Sequence, residues 1–577
     1  MNSTELSKLA RMVRWGGAVA VLLMLGATSC GPAVEKPPPE PRLDEGEVRA
    51  SLEALLERDR ARDTDSTSIT SQAVRFYAAR DGRPAWLSRG QPTSIAGELV
   101  GALQTAATHG LDPTDYETGA LDSLLQSVRA AGHHATGAGR PAMRAALDRK
   151  LTRAYLAFAN DRLRGRFDPA TFAPNWHSPR WRDLDLVPQL ERAIAHKQVA
   201  AALDSLDPVT PEYAQLREAL ASLRWLEAAG GWPRISAGEL LKPGASDPRV
   251  PELRARLAPE GSSALGDSAD MRYDKRLAAA VRAFQRRVGL QADGEIGVAA
   301  RRELNLPIED RIARIEINLE RLRWARDAVA ARHVQVNLPE YAVHLWDGDT
   351  LARTIRAVVG FDTTRTPIFE DTLSHIIFGP SWRLPMSIIR NEVIPAMIRD
   401  KSYIEKHFMK VYLRADPRSG ELRPDSINWK KLQADSIPIF VRQEPGIANP
   451  LGRVKFMCPN PWDIYLHDTP TRGTFTRADR RASHGCVRLE RPSDFALWLL
   501  RNSREPWDSL LVAAAMDTSH DKVVMLPKRV PVFFAYRTAW IDPAGELQFR
   551  RDVYGYDSLH ARRVGRPLER LVIAKRE

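Results

Sequence analysis

Cysteine is scarce in this sequence: only Cys30, Cys458 and Cys486 occur among 577 residues. Three cysteines are too few for a disulfide scaffold, which excludes the small domains that depend on several bridges. A zinc site formed by Cys458, His467, His484 and Cys486 is not expected either, because their spacing matches no common CxxC-type pattern. The sequence therefore predicts no metal and no cofactor.

Long blocks of lysine or arginine are also absent, although the formal net charge is +12. No aromatic-rich basic strand or recognition-helix motif accompanies this charge, so nucleic-acid binding is not expected. Positive charge spread along the chain favours anionic surroundings such as a cell wall or lipid head groups. The length predicts about three to five domains or subdomains.

The N-terminal apolar run, residues 16–27, is too short to span a bilayer comfortably. Basic residues precede it, and Ala-Thr-Ser-Cys30 follows, a pattern typical of an export signal over residues 1–30. It resembles a lipoprotein signal, in which Cys30 becomes the lipidated first residue. Ordinary cleavage after Ser29 and a retained N-terminal anchor are the alternatives. Each of the three places the rest of the chain outside the cytoplasmic membrane.

The N-terminal half has two predicted parts. Residues 31–47, rich in proline and charge, form an extended linker that spaces the body from a membrane. Residues 48–230 place apolar residues at helical spacing and are predicted to form a helical scaffold domain. Scaffolding alone is the simplest interpretation of this part.

Residues 237–306 are predicted to form a compact helical unit. The sequence AVRAFQ is followed by GL and then by DGEIG. This combination resembles the three-helix peptidoglycan-binding domain of many wall hydrolases. The matching positions are Val250, Leu253, Leu257, Tyr273, Ala280, Val281, Phe284, Gln285, Leu290, Gly294 and Gly297.

The C-terminal part changes character. A linking helix over residues 307–330 leads into alternating, strand-like runs over residues 331–522. A mostly helical insertion, about residues 386–436, lies between the strand blocks and is interpreted as a lid over a cleft. Residues 523–577 are predicted to form a β extension. The expected fold class is a multidomain α+β protein.

The residues best suited to carry out a chemical reaction lie at positions 467–488. Cys486 is a nucleophile only as the thiolate, and the imidazole of His467 can take its proton. Gly485 lets the backbone turn tightly and expose amide N–H groups toward an oxyanion. Arg488 can bind a carboxylate in a forked geometry. Together they offer a nucleophile, a base, an anion hole and a carboxylate clamp.

A short motif follows His467, and its cysteine lies 19 residues after that histidine. This motif, Ser483-His484-Gly485-Cys486-Val487-Arg488, resembles the signature of the L,D-transpeptidases (YkuD-type catalytic domain). The runs VVGFDTTRTP, PSWRLP, RQEPGIANPLGRVKF and IYLHDTP are similar to the large multidomain Gram-negative members. These combine a helical scaffold, a peptidoglycan-binding domain and a capped catalytic domain in one chain.

The resemblance assigns roles to single residues. Cys486 is then the nucleophile and His467 the general base, with Ser483, His484 and Gly485 forming the anion hole and its loop. Arg488, Trp382 and Asp468 are the candidate substrate-binding residues; Trp382 either lines the cleft or packs beneath the lid. The group that orients His467 is either a backbone carbonyl or the carboxylate of Asp468, and adjacent strand residues point to opposite faces, which favours the carbonyl.

The implied reaction is a 3→3 cross-link between peptidoglycan stem peptides through a thioester on Cys486, with release of D-alanine. The implied partners are stem peptides, glycan and, through a lipid anchor, a membrane; the implied location is the periplasm. Carbapenem-type β-lactams are expected inhibitors.

Other functions compete with cross-linking. The same site suits an L,D-carboxypeptidase or the attachment of proteins to the wall. Sortases space histidine and cysteine much farther apart, and papain-like enzymes place the cysteine first. A non-enzymatic tether that binds peptidoglycan needs only the scaffold and residues 237–306.

Overall fold

The computed structural model describes residues 45–132, 140–177, 184–260, 269–325, 332–414, 420–433 and 438–565. The predicted signal, Cys30 and most of the predicted linker lie outside these residues. Among the described helices, none combines the length and the apolar character needed to cross a membrane.

The N-terminal unit is helical, as its periodicity predicts. Helices α1 to α7 and one short hairpin, β1 (Leu87–Ser88) with β2 (Gln91–Pro92), pack around one apolar core, whereas α8 packs in a separate core with later parts of the chain. The helices are α1 (Glu45–Arg62), α2 (Ile69–Ala78), α3 (Ser94–Gln104), α4 (Thr118–Ala130), α5 (Arg140–Arg164), α6 (Val187–Ala195), α7 (Val199–Asp204) and α8 (Pro211–Ala228). Helix α1 begins inside the segment predicted as linker.

The second unit is the predicted three-helix domain. Its helices are α9 (Val250–Leu257), α10 (Lys275–Arg287) and α11 (Val298–Leu304). The Asp274 side chain caps α10 by accepting a hydrogen bond from the N–H of Leu277 at 2.8 Å. Leu277, Val281 and Phe284, spaced at helical intervals, are buried in a separate small core.

Helix α12 (Ile308–Trp324) connects the parts of the chain and is buried on nearly every side. Four of its arginines are buried, and each needs a partner to offset the loss of hydration. Arg321 pairs with Asp557 at 2.7 Å, and Arg323 donates to the Tyr213 hydroxyl of α8 at 3.0 Å. The helix therefore joins the scaffold to the C-terminal segment through polar contacts as well as apolar ones.

The C-terminal unit is built on a nine-stranded sheet in the order β12-β5-β13-β11-β10-β6-β14-β3-β4, and β4 also pairs with β5. That additional pairing closes eight of the strands into a ring. The strands are β3 (Arg332–Asn337), β4 (Ala342–Asp347), β5 (Thr350–Gly360), β6 (Phe369–Phe378), β10 (Val454–Met457), β11 (Leu466–His467), β12 (Arg481–Ser483), β13 (Val487–Leu489) and β14 (Lys522–Ala535).

Alternation along these strands separates an interior from an exterior face. Val336, Leu345, Phe456 and Leu466 point inward and are fully buried in the main core. Helices α16 (Pro492–Leu500) and α17 (Ser509–Met516) complete this core. The exterior face of the ring is left for polar and reactive side chains.

The insertion forms a small subdomain with its own apolar core, here called the cap (residues 382–443). Its three strands, β7 (Trp382–Arg383), β9 (Ile439–Gln443) and β8 (Met409–Leu413), form an antiparallel sheet. Its helices are α13 (Met386–Ile388), α14 (Ile394–Arg399) and α15 (Tyr403–Lys406), with a π turn at Ile389–Val393. The sequence indicates the helices, but the cap sheet extends beyond the predicted limits because its strands come from both ends of the insertion.

The C-terminal segment contributes one strand to the ring. This strand, β14, lies between β6 and β3, where Val532 and Phe534 are buried in the main core. Among the later described residues, to position 565, the hairpin β15 (Ala539–Ile541) with β16 (Leu547–Phe549) and helix α18 (Tyr556–Arg563) lie outside it. The predicted fold class, a multidomain α+β protein, is confirmed.

Candidate active site

Cys486 and His467 are brought together by two neighbouring parallel strands. The pairing of β11 with β13 sets His467 opposite Arg488 and Leu466 opposite Val487. Because residues two apart in a strand share a face, Cys486, at the start of β13, is a diagonal neighbour of His467 on the exterior face. Leu466 and Val487 fill the interior. The tertiary structure thus assembles the predicted nucleophile and base.

The loop that carries Cys486 is braced from within. The Ser483 hydroxyl accepts a hydrogen bond from the Gly485 N–H at 3.2 Å and donates one to the Cys486 carbonyl at 2.6 Å. The hydroxyl of Thr366 donates to the Gly485 carbonyl at 2.7 Å. Gly485 has φ +119°, and a Cβ there would meet Ile464 at 3.0 Å. Glycine is therefore required by both conformation and space.

This bracing changes the expected anion hole. Ser483 is buried and serves the loop, and the Gly485 N–H is occupied by the Ser483 hydroxyl. Gly485 therefore shapes the turn, whereas its N–H is not open to a ligand in this conformation. Thr366, whose hydroxyl holds the Gly485 carbonyl, belongs to the run VVGFDTTRTP. The sequence alone did not reveal that this run supports the cysteine loop.

His467 is held by a main-chain group. Its Nδ1 atom lies 2.5 Å from the carbonyl oxygen of Asp468. A carbonyl only accepts, so Nδ1 carries the proton and Nε2 keeps the lone pair that a general base needs. The Asp468 carboxylate instead accepts from the Arg453 N–H at 2.9 Å and pairs with Arg472 at 2.5 Å. Buried in this way, Asp468 does not present the substrate-binding carboxylate suggested by the sequence.

The protonation states are set mainly by burial. Burial raises the pKa of the Cys486 thiol to about 11, opposed by the nearby N–H and hydroxyl of Tyr465 and by the positive charge of Arg488. Burial, together with the positive charge of Arg488, lowers the pKa of His467 to about 3. Both shifts favour the neutral thiol and the neutral imidazole at neutral pH.

Tyr465 is a site residue that the motif did not reveal. Its hydroxyl lies close to both Cys486 and Trp382, so it stands between the reactive sulfur and strand β7 of the cap. The thiol also faces the Asp463 carbonyl at 3.6 Å. Tyr465 precedes His467 by two residues, and the strand period of two was the signal that could have found it. Trp382, for which the sequence left two interpretations, lies close to Tyr465.

Two cations face the same site. The Nε atom of Arg488 is buried and has no hydrogen-bond partner among the described residues. Lys455, opposite His467 on β10, lies near the sulfur, and its Nζ reaches the Ser381 carbonyl at 3.4 Å. Burial lowers the pKa of Lys455. Lys455 could not be found from the sequence, because only strand pairing brings it there.

His484 points away from the reactive atoms and toward the cap. Its Nε2 atom lies 2.8 Å from a carboxylate oxygen of Glu392 in the π turn, and both side chains are about half exposed. Its ring also contacts Phe361 edge to face. His484 therefore links the cysteine loop to the cap.

Cys458 and Cys486 are both free thiols. Cys458 is buried in the main core and donates to the Ile464 carbonyl at 3.3 Å. Within the described ranges, no group of three or more histidine, cysteine or acidic side chains is arranged to hold a metal ion.

Comparison with known families gives three matches along the chain. Residues 71–220 match a scaffold domain, residues 246–304 a "Putative peptidoglycan binding domain", and residues 331–524 an L,D-transpeptidase catalytic domain. The three matched segments follow the order of the helical unit, the three-helix unit and the ring sheet with its cap.

A curated relative from Haemophilus influenzae, named "Putative L,D-transpeptidase", is 34% identical over 247 residues. The alignment covers 42% of this chain and 48% of the relative, so the chain spans about half the length of that protein. A solved L,D-transpeptidase structure from Xylanimonas cellulosilytica is 15% identical, covers 52% of this chain and 99% of its own, and has a TM-score of 0.18, too low to carry an argument.

The fold and the matches define a multidomain α+β protein whose β-rich unit matches an L,D-transpeptidase catalytic domain. More narrowly, segments that match a scaffold domain and a peptidoglycan-binding domain precede that unit in the same chain. The family resemblance drawn from the SHGC motif is confirmed.

Proposed function

We propose that this protein is a cysteine-dependent L,D-transpeptidase that forms 3→3 cross-links between peptidoglycan stem peptides. The observation that carries the proposal is the arrangement of Cys486, His467 and Arg488 on one exterior face of the ring sheet. A nucleophile, a base with a fixed tautomer and an unpartnered guanidinium converge there under a cap.

The first half-reaction acylates Cys486. Nε2 of His467 takes the thiol proton as the sulfur attacks the carbonyl carbon of the diamino acid that precedes the terminal D-alanine. The C–N bond breaks, the proton passes to the leaving D-alanine amine, and a thioester remains on the sulfur. The buried Nε of Arg488 offers a donor for a substrate carboxylate.

The second half-reaction returns the enzyme to its resting state. The side-chain amine of a second stem peptide attacks the thioester carbonyl and loses a proton to His467. The C–S bond breaks, and the thiolate of Cys486 recovers that proton. Water in place of the amine gives L,D-carboxypeptidase action, and an amine on a protein gives attachment to the wall.

The cap supports cross-linking over hydrolysis. Trp382 of the cap lies close to Tyr465, and Glu392 of the cap contacts His484, so the cap approaches the cysteine loop from two sides. A closed cap limits the access of water to a thioester until an amine arrives. This is why cross-linking is preferred here over the carboxypeptidase alternative.

The test is to incubate the protein with tetrapeptide-bearing muropeptides and to follow the products by mass spectrometry, beside Cys486→Ala. Dimers that form with loss of D-alanine, only in the wild type, are the expected result. Tripeptides without dimers would replace the proposal with a carboxypeptidase. Equal turnover in both proteins would exclude Cys486 as the nucleophile, and no turnover in either would favour a non-enzymatic tether.

We further propose that carbapenem-type β-lactams acylate Cys486. Their strained amide carbonyl takes the place of the stem-peptide carbonyl, and ring opening leaves the drug attached through a thioester. Intact-protein mass spectrometry should detect one added drug mass on the wild type and none on Cys486→Ala. An adduct on both variants would place the reaction at another residue.

The proposed substrate is found in the cell wall, so we propose a location in the periplasm with Cys30 as a lipidated N-terminus. Globomycin, which blocks lipoprotein signal cleavage, should cause the precursor to accumulate in cells. Maturation that continues in its presence would favour ordinary signal cleavage after Ser29.

A further inference from the structure

The exterior of the ring carries a second concave region on strands β3, β4 and β5, the last of which is the neighbour of β13 in the sheet. There β3, β4 and β5 form one wall of a groove of about 1520 Å³. The other walls come from the C-terminal end of α10, the start of α8 and the hairpin β15–β16. Neither Cys486 nor His467 lines this groove. It lies where the three matched domains meet, which is a common position for ligand sites.

The groove is lined by aromatic rings, one of which carries a donor without a partner among the described residues. The ring of Trp346 stacks on that of His333, with centroids 5.9 Å apart and planes within 6°. The indole Nε1 atom of Trp346 is buried and has no hydrogen-bond partner among the described residues. Trp540 lines the same groove beneath the guanidinium of Arg550. Aromatic rings with unmet donors suit a ligand that has both apolar faces and hydroxyl or amide groups.

The charges in the groove are largely paired. Arg537 pairs with Glu212, His344 with Glu340 at 2.8 Å, and Arg550 approaches Glu340 at 3.7 Å. The second oxygen of Glu212, Oε1, is buried without a partner among the described residues. Such pairing leaves donors and acceptors available but little net charge, which disfavours a polyanion and favours an uncharged, polar ligand.

We propose that this groove binds an uncharged oligosaccharide of N-acetylated amino sugars, the glycan class of peptidoglycan. Its volume exceeds the roughly 300–1,000 Å³ that drug-sized ligands occupy, so several sugar units fit. The ligand class rests on the proposed function, whereas binding itself needs no turnover. Glycan held here and stem peptides processed at Cys486 occupy separate places on the exterior of the same ring.

The test is to titrate the full chain with a soluble β-1,4-linked oligomer of N-acetylglucosamine by isothermal calorimetry. Saturable binding by the wild type is expected. Trp346→Ala removes the aromatic surface, and Ala283→Trp fills the groove from α10 without removing a side-chain hydrogen bond. Each should weaken binding at least tenfold, while Trp225→Ala, an exposed tryptophan on α8 outside the groove, should bind like the wild type.

Absence of binding by the wild type, or wild-type affinity in either groove variant, would overturn the proposal. A loss in Trp225→Ala equal to that in Trp346→Ala would overturn it as well. The result is independent of chemistry at Cys486: Cys486→Ala should bind the oligomer normally even where it forms no cross-links. Failure of the transpeptidase proposal and failure of this one are therefore separate outcomes.

Discussion

His467 is oriented by the main chain of Asp468: its Nδ1 atom lies 2.5 Å from that carbonyl oxygen, while the neighbouring carboxylate bonds Arg472 and the Arg453 N–H. The two candidate orienting groups of one residue therefore have separate tasks. The carbonyl fixes the imidazole tautomer, and the carboxylate fixes the loop.

Asp468→Asn should test this division of tasks. The carbonyl remains, so the rate of Cys486 acylation should fall no more than about threefold, whereas loss of the buried charge pairing should cost about 1–3 kcal/mol of stability. The measurements are the rate of adduct formation and the free energy of unfolding in denaturant. A loss near 10⁴-fold, as when a triad carboxylate is removed, would instead make the carboxylate the orienting group.

Tyr465→Phe should raise the pKa of Cys486. The hydroxyl lies close to the sulfur and favours its thiolate, so its removal leaves the charged form of Cys486 less stable. The pH dependence of iodoacetamide labelling at Cys486, read by mass spectrometry, gives this shift. Tyr412→Phe, in cap strand β8, is the control and should leave the profile unchanged. An unchanged profile in Tyr465→Phe would refute the role.

Glu392→Gln should loosen the cap. When His484 is protonated, its 2.8 Å contact with Glu392 is an ion pair, and half-exposed pairs of this kind contribute about 0.2–1 kcal/mol. Labelling of Cys486 should accelerate by up to about fivefold, and hydrogen exchange in the π turn should rise. Glu405→Gln, on helix α15 of the same cap, is the matched control. Faster labelling in both variants would indicate a general effect of cap charge.

Gly485→Ala should disable the site. An alanine at φ +119° is strained by about 1–3 kcal/mol, and its Cβ would press on Ile464 at 3.0 Å. Displacement of the cysteine loop by even about 1 Å can cost about 10² in rate. Gly473→Ala is the control, because a Cβ there meets no atom within 4 Å and no left-handed conformation is involved. Similar acylation rates in the two variants would contradict the requirement for glycine.

His109 should make the fold sensitive to acid. Burial lowers its pKa to about 2, helped by the charges of Arg162, Arg217 and Arg323, although Asp207 lies 3.5 Å away. The unfolded chain takes up a proton near pH 6.5 and the folded chain does not, so stability is full above that pH and falls below it. Between pH 7.5 and 5 this loss is about 2 kcal/mol.

His109→Gln should remove that part of the pH dependence. Chemical denaturation at pH 7.5 and 5.0 should show a difference between the two pH values about 2 kcal/mol smaller than in the wild type. Buried His467 and His560 stay in both proteins, so they cancel in the comparison. An equal pH dependence in the two proteins would mean that His109 is protonated in the folded state.

Local sequence patterns predicted much of the architecture because they depend on residues close together in the chain. Helical spacing indicated the scaffold and the three-helix unit, and alternation indicated the strands. The run from Ser483 to Arg488 identified the catalytic domain, since its residues form one tight loop. Strand alternation also favoured the Asp468 carbonyl over its carboxylate as the group that orients His467, and in the structure the carbonyl contacts the imidazole.

What the sequence by itself determined, then, is the set of elements and the reactive motif. Only the tertiary structure decided which distant residues meet: Lys455 beside His467, Trp382 above Tyr465, Glu392 against His484, and β14 in the middle of the ring. These contacts depend on strand register and on the docking of the cap, which are set by burial of whole faces. No short pattern encodes them, because each joins segments that the chain separates by ten to two hundred residues or so.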